Sequence, residues 1–519
     1  MSSEQKPSNY EELKNKRAVN SVRNAVLGSI YMIETTLVPF FLRTLMARTI
    51  GYEYLGLNNL FLSIISMINF SELGIGTVMT YFLYRPYAYD EKEKVEAYLH
   101  ELRKIYFWIG IFIIVVSLCL IPLFPFFVTG NIPVDANIYL LFSLYILSDA
   151  LQYFFFPDTT ALFEASERSD YNTAINGIAN LVGYSLQIIS LLVYKSYLYY
   201  IIALVIQAAV IGFLRFYYKR RYYSSYHPKG SLNQQERIDA KKRIGAMIGH
   251  QLDEKFFNSI DTVMISSFLG LNAVAVYGNY YYVLVAVTML LSALYNGVQS
   301  GIGNAVAVES REGNYDRFFF LFWLSMILTG WATACMLCLY QNFIRVWMGD
   351  QMLGMDMVIL LCVYFYLSQI RKTVVTFKNA NGMWYDDRWK PYVSIALDFI
   401  LDLVLIPRIG VIGAVISSII CLSCIELPWE TIILFRNYFK HSLSLYLKRL
   451  SAYSTVNVVL LLSCRFICER FIPQKSITDL LIRLLVCSAM SIVIFGTVYR
   501  SSDEMKRLTE LYKRLRVRR

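Results

Sequence analysis

Between Thr262 and Val308 the sequence carries no charged residue. That run is long enough for two helices around Gly270, since ~18 consecutive apolar residues already mark a membrane-crossing candidate. Further uncharged windows recur at Ile105–Val128, Tyr171–Tyr194, Tyr197–Leu214 and Phe318–Ile344. In hydrocarbon no water satisfies the backbone, so such windows fold as helices that close their own hydrogen bonds. Composition agrees: of 519 residues, 56% are hydrophobic and 17% charged, against ~25% charged in soluble domains. The predicted fold class is an all-α integral membrane protein with about fourteen transmembrane helices, twelve being the alternative count.

The predicted spans lie near 24–47, 55–84, 104–128, 136–160, 171–194, 197–218, 246–269, 271–308, 317–342, 356–380, 389–407, 410–436, 449–471 and 477–499. Those at 136–160 and 389–407 are interrupted by Asp149, Asp158, Asp398 and Asp402. A faint repeat runs through the list. Gly51 and Gly270 each separate two apolar arms, and a Gly-x-Gly follows in each case, Gly74/Gly76 and Gly301/Gly303. Membrane chains built from two similar halves place their pathway between the halves.

Lysine and arginine placement sets the expected orientation. Arg85, Lys92, Lys94, Arg103 and Lys104 lie between spans two and three. Lys219, Arg220, Arg221, Lys229, Arg237, Lys241, Lys242 and Arg243 follow span six, whereas residues 129–137 have no positive charge. Both termini are therefore expected in the cytoplasm. The polar segment 1–23 reads as a cytosolic lead-in rather than a cleaved signal peptide. The basic tail 501–519 accounts for much of the +11 net charge and suits anionic lipid headgroups. With no soluble domain beside it, that charge is not read as a nucleic-acid site.

No catalytic motif of the GxSxG, HExxH, P-loop or GxGxxG type occurs, and the four histidines (His100, His227, His250, His441) fall in or beside predicted cytoplasmic loops. The protein is read as a non-enzyme without a cofactor, driven by a substrate or ion gradient, the coupling ion being H+ or Na+. Nine cysteines include the pairs Cys335/Cys338 and Cys421/Cys424. Both pairs sit in apolar spans without a nearby histidine or second pair, so they read as packing residues, and no metal site is expected.

Charges inside the spans carry the functional signal, because each costs ~2.5–3.5 kcal/mol at the bilayer centre on insertion scales. Glu34 lies roughly 15 Å into span one at ~1.5 Å per residue, and Arg43 is further along the same helix. Glu72 precedes the first Gly-x-Gly. Span seven holds Asp253, Glu254, Lys255 and Asp261; span ten holds Arg371, Lys372 and Lys378; span eleven holds Asp398 and Asp402 one turn apart. Arg43, Lys255, Arg371 and Lys378 are candidates to receive a diphosphate, for which arginine offers forked donors. Glu34, Glu72, Asp261, Asp398 and Asp402 are candidates for a cation or an exchanged proton. Structural readings stand beside these: 253–255 as near-interface residues, Glu72 bonded within the bundle, Glu426 and Glu430 near the inner headgroups, and the deeper charges as buried pairs.

The block RNAVLGSIYMIETTLVPFFLRTLMARTIGYEYLGLNNLFLSIISMINFSELGIGTVMTYFLYRPYA (23–88) resembles the start of bacterial Wzx-type polysaccharide flippases of the multidrug/oligosaccharidyl-lipid/polysaccharide exporter superfamily. The resemblance continues through 259–283, 300–310, 343–349 and 411–420. It implies two six-helix lobes, about 24–218 and 246–437, joined by the basic loop 219–245 and enclosing a central cavity. Spans thirteen and fourteen (449–500) would be additional, as in the related lipid II flippases. The implied cargo is a lipid-linked oligosaccharide on undecaprenyl diphosphate, with a polysaccharide polymerase and glycosyltransferases as partners. Asp398 and Asp402 depart from the uncharged residues expected there and point to a cation site. A cation-coupled exporter of the same superfamily and a membrane glycan-processing enzyme are the alternative functions.

Overall fold

The computed structural model describes residues 10–69, 75–130, 132–133, 137–155, 157–383, 385–474 and 476–517. Contacts divide the chain into two compact units, Met1–Ala275 and Val276–Arg519. Among the described residues there are helices and no strands, as the apolar windows require.

The first unit contains α1 (Tyr10–Thr49), α2 (Tyr52–Ile68), α3 (Ile75–Ala88), α4 (Lys92–Leu120), the short α5 (Phe124–Phe127), α6 (Ile138–Phe154), α7 (Pro157–Ala165), α8 (Ser169–Ile189), α9 (Tyr197–Tyr222) and α10 (Gln234–Leu269). Val26, Ile30, Ile33, Leu37 and Phe41 form an exposed apolar stripe along α1. Their three-to-four-residue spacing places them on one helix face, which suits lipid rather than water. α9 packs on α6 and α8, α1 on α8, and α10 along α2. Met79, Leu83, Leu99, Leu102, Phe163 and Tyr223 form the core at one end.

Glycine lets α2 pass close to the corner that follows α10. A Cβ on Gly56 would lie 1.9 Å from the Leu271 carbonyl oxygen. The two glycines of the repeat share a conformation as well: Gly51 has φ 103° between α1 and α2, and Gly270 has φ 84° directly after α10. Both values lie in the region that glycine reaches at little cost. Each hairpin of the repeat is thus a helix–glycine–helix corner.

The second unit comprises α11 (Leu271–Val308, whose first residues belong to the other unit), α12 (Arg311–Met348), α13 (Met355–Ala380), α14 (Lys390–Ile409), α15 (Val411–Cys421), α16 (Leu427–Ile433), α17 (Ser444–Phe471), α18 (Ile477–Val498) and α19 (Asp503–Val517). α12 packs on α13, α17 and α18. The last two apolar helices are thereby fastened to the unit through a core of Phe318, Phe322, Trp323, Phe377, Phe435, Tyr446, Cys464 and Cys487. α19, in the stretch read as a tail, is tied to α17 by Arg449–Glu504 at 2.7 Å.

Ten helices are long and apolar enough to cross a membrane among the described residues, or eleven with α6 and α7 taken as one span bent by 47°. The fourteen expected spans all have helical counterparts, but three fall short of that standard. α2 and α3 flank residues 70–74, which lie outside the described residues, and Glu72 with them. α10 begins inside the stretch read as an inter-lobe loop, capped by Asn233 and Glu236, and only Ser259–Leu269 of it is apolar. α14 is one continuous helix, but Asp398 and Asp402 interrupt its apolar run.

Candidate functional site

In the second unit, the charges predicted on spans ten and twelve come together. A π turn at Leu422–Glu426 separates α15 from α16, and Pro428 opens α16. Proline has no N–H to give the preceding turn, and the widened turn places Glu426 and Glu430 beside α13. Arg371 grips Glu430 with Nε to Oε2 at 2.6 Å and Nη2 to Oε1 at 2.9 Å, and reaches Glu426 Oε2 with Nη1 at 2.7 Å. Lys390, at the start of α14, donates to Glu430 at 3.2 Å and lies 3.9 Å from Glu426. Lys378 bridges Glu430 at 3.1 Å and Asp387. Ser394 donates to Glu426 at 2.9 Å.

This network holds three cations (Arg371, Lys378, Lys390) against three carboxylates (Asp387, Glu426, Glu430), so it is neutral as a whole. Neutrality matters, because an unpaired buried charge costs several kcal/mol. Lys378, Lys390 and the three carboxylates are buried, while Arg371 keeps 26% of its side chain exposed. Arg371 and Lys378 were predicted from the sequence; Lys390 and Asp387 were not. They lie in YDDRWK, a polar run that reads as a loop until it folds back on α13.

About two turns beyond Lys390 on α14, Asp398 and Asp402 are both fully buried. The Ser417 hydroxyl on α15 donates to Asp402. Lys372, next to Arg371, donates to Ser292 on α11.

In the first unit, Arg43 on α1 donates to Asn59 Oδ1 at 2.9 Å and to the Ala275 carbonyl at 3.5 Å. Both acceptors are neutral, so the guanidinium has no carboxylate among these partners. Glu34 sits nine residues earlier on α1, half-buried; its Oε2 lies 3.3 Å from where a Cβ on Gly177 of α8 would be. Pro39 lies between the two charges. Lys255 is half-buried and Asp261 buried on α10; the side chains of Asp253 and Glu254 lie outside the described residues.

A second ion cluster in this unit was not foreseen. Asp158 on α7, fully buried, accepts from Arg103 Nε at 3.0 Å and Nη2 at 2.8 Å, and from Lys219. Arg103 and Lys219 had been read only as loop charges that set orientation. Here they fasten α4 and α9 onto α7.

A model of the family described as polysaccharide biosynthesis protein matches residues 21–299, more than half of the chain. The chain belongs to the polysaccharide biosynthesis protein family. No curated protein matches the sequence. Among solved structures, this family member is similar to the lipid II flippase MurJ in an inward closed conformation, with a TM-score of 0.67, 14% identity, and coverage of 92% of this chain and 99% of that one. It is also similar to an inward-facing multidrug resistance MATE family transporter, with a TM-score of 0.58, 13% identity, and coverage of 78% and 97%. A Vibrio cholerae MATE transporter follows at 0.54 and 13%, covering 82% and 100%. The family assignment rests on the sequence, and the solved structures show that this polysaccharide biosynthesis protein shares the fold of MurJ and the MATE transporters. It is a multi-pass membrane protein.

Proposed function

We propose that this protein moves an undecaprenyl-diphosphate-linked oligosaccharide or polysaccharide repeat unit from the inner to the outer leaflet of the cytoplasmic membrane, by alternating access, for cell-surface polysaccharide biosynthesis. The observation that carries the reading is the partly exposed fork of Arg371 within a neutral network. Phosphate oxygens fit the same parallel N–H donors that now hold Glu430. If a diphosphate takes the fork, Lys378 and Lys390 still face Glu430, so the exchange strands no buried carboxylate. Arg43, half-buried on α1, is the donor candidate of the first unit, with Lys255 and Lys378 as further cationic candidates.

In this reading no bond of the cargo changes, and the protein is a carrier rather than an enzyme. Glycosyltransferases supply the lipid-linked unit and a polymerase consumes it. Both termini face the cytoplasm, and the basic tail lies against anionic headgroups. The coupling ion is H+ or Na+, with Asp398 and Asp402 as its acceptors and Glu34, Glu72 and Asp261 as the other acidic candidates. The lobes of this reading are those the family resemblance implies, 24–218 and 246–437.

A second reading, a cation-coupled exporter, is favoured by one observation: two carboxylates fully enclosed one turn apart on α14. Deletion of the gene separates the two. The flippase reading expects loss of surface glycan with lipid-linked precursor accumulating inside. Intact surface glycan with raised sensitivity to cationic dyes would replace it with the exporter.

A further inference from the structure

The cysteines read as packing residues converge in the second unit. The sulfurs of Cys338 on α12, Cys468 on α17 and Cys487 on α18 all lie within 4.8 Å of one another, with Cys468 and Cys487 at 4.0 Å. Cys464, one turn before Cys468, is fully buried in the same core. The second pair that the Cys335/Cys338 spacing lacks in sequence is thus supplied by other helices. Three thiolates about 2.3 Å from a common ion stand about 4 Å apart in a trigonal plane. Sub-ångström shifts would therefore close this triangle on a metal.

An independent feature lies beside it. Arg483 on α18 is 1% exposed. Its guanidinium donates to the carbonyls of Cys338 at 2.9 Å, Cys468 at 2.8 Å, Pro473 at 3.2 Å and Ile472. All of these acceptors are neutral, and two belong to the cysteine triangle itself. Among the described residues no carboxylate pairs with this cation. A charge so placed in a membrane span marks a functional site by default, and the anion it lacks is what deprotonated thiols would provide.

We propose that Cys338, Cys468 and Cys487 form an intramembrane thiolate site for a thiophilic divalent d10 cation of the zinc class, with Arg483, held on the Cys338 and Cys468 carbonyls, as the cation that neutralises it. Binding releases three thiol protons to solvent. Three thiolates and one divalent ion leave a single negative charge, which Arg483 balances.

The test uses the purified full chain, reduced and titrated with Zn2+ or with Cd2+ as a spectroscopic substitute. The expected result is about one ion per chain, with a thiolate-to-cadmium charge-transfer band. Cys468→Ser combined with Cys487→Ser should abolish the band. Arg483→Met should weaken binding about ten- to hundredfold, the usual range for second-shell changes. Cys421→Ser should leave the band unchanged. Absence of the band in the reduced wild-type protein overturns the proposal whatever the variants do, as does its persistence in the double variant.

Discussion

Arg371 and Glu430 meet through two parallel hydrogen bonds, Nε to Oε2 at 2.6 Å and Nη2 to Oε1 at 2.9 Å, across helices that the sequence separates by a polar loop and two further helices. Glu430 also receives Lys378 and Lys390, so the carboxylate is the hub and the arginine one of its spokes. Glu430→Gln should therefore destabilise the protein more than Arg371→Ala, by about 3–5 kcal/mol for a fully buried partner. Melting followed by size-exclusion chromatography in detergent measures the difference. The reverse order would place the hub elsewhere.

Arg43 should behave differently. Its hydrogen bonds to Asn59 and the Ala275 carbonyl go to neutral acceptors, and its side chain is half-buried rather than enclosed. The expected result is a melting temperature close to wild type with translocation reduced at least tenfold. Arg43→Lys should recover part of the activity, since lysine keeps the charge but not the fork.

Asp158 joins Arg103 and Lys219. Asp158→Asn should lower stability by about 3 kcal/mol, the lower end of the ~3–5 for a buried partner, because Arg103 is 41% exposed and screened. Adding Lys219→Met should restore part of the loss, because the two changes act on one pair. Additive losses in a double-mutant cycle would argue against that coupling.

Gly56→Ala should be poorly tolerated, since its Cβ would meet the Leu271 carbonyl at 1.9 Å, whereas a Cβ on Gly28 has nothing within 4 Å. Expression and melting of the two alanine variants should differ clearly, with Gly28→Ala close to wild type or slightly stabilised by helix propensity, which favours alanine by ~1 kcal/mol.

Asp402 accepts from Ser417. If α14 carries the coupling ion, Asp402→Asn should leave the fold intact and remove the dependence of transport on the ion gradient. Transport by this variant that still follows the imposed gradient would exclude Asp402 as the coupling group.

The helical class was legible because uncharged windows in a membrane permit little else. The glycine corners were legible too, since Gly51 and Gly270 stand where two apolar arms must turn. Partners were not. Glu426 and Glu430 showed their one-turn spacing but not that Pro428 and a π turn would carry them to Arg371. Lys390 and Asp387 looked like loop residues because burial depends on where the loop folds, which local pattern does not encode. Arg103 and Lys219 were read by their side of the membrane, and their carboxylate lay on α7. The cysteine triangle draws on three helices and leaves only the Cys335/Cys338 spacing in the sequence.

The most direct test of the account is reconstitution of the purified protein in vesicles carrying a fluorescent diphosphate-linked oligosaccharide lipid, with an impermeant quencher outside. The account predicts that wild-type protein brings inner-leaflet lipid to the quencher, that Arg43→Ala and Arg371→Ala, each still inserted in the vesicles, do so far more slowly, and that excess diphosphate-linked lipid competes. Exposure of the lipid at the same rate in wild-type, variant and protein-free vesicles would contradict it.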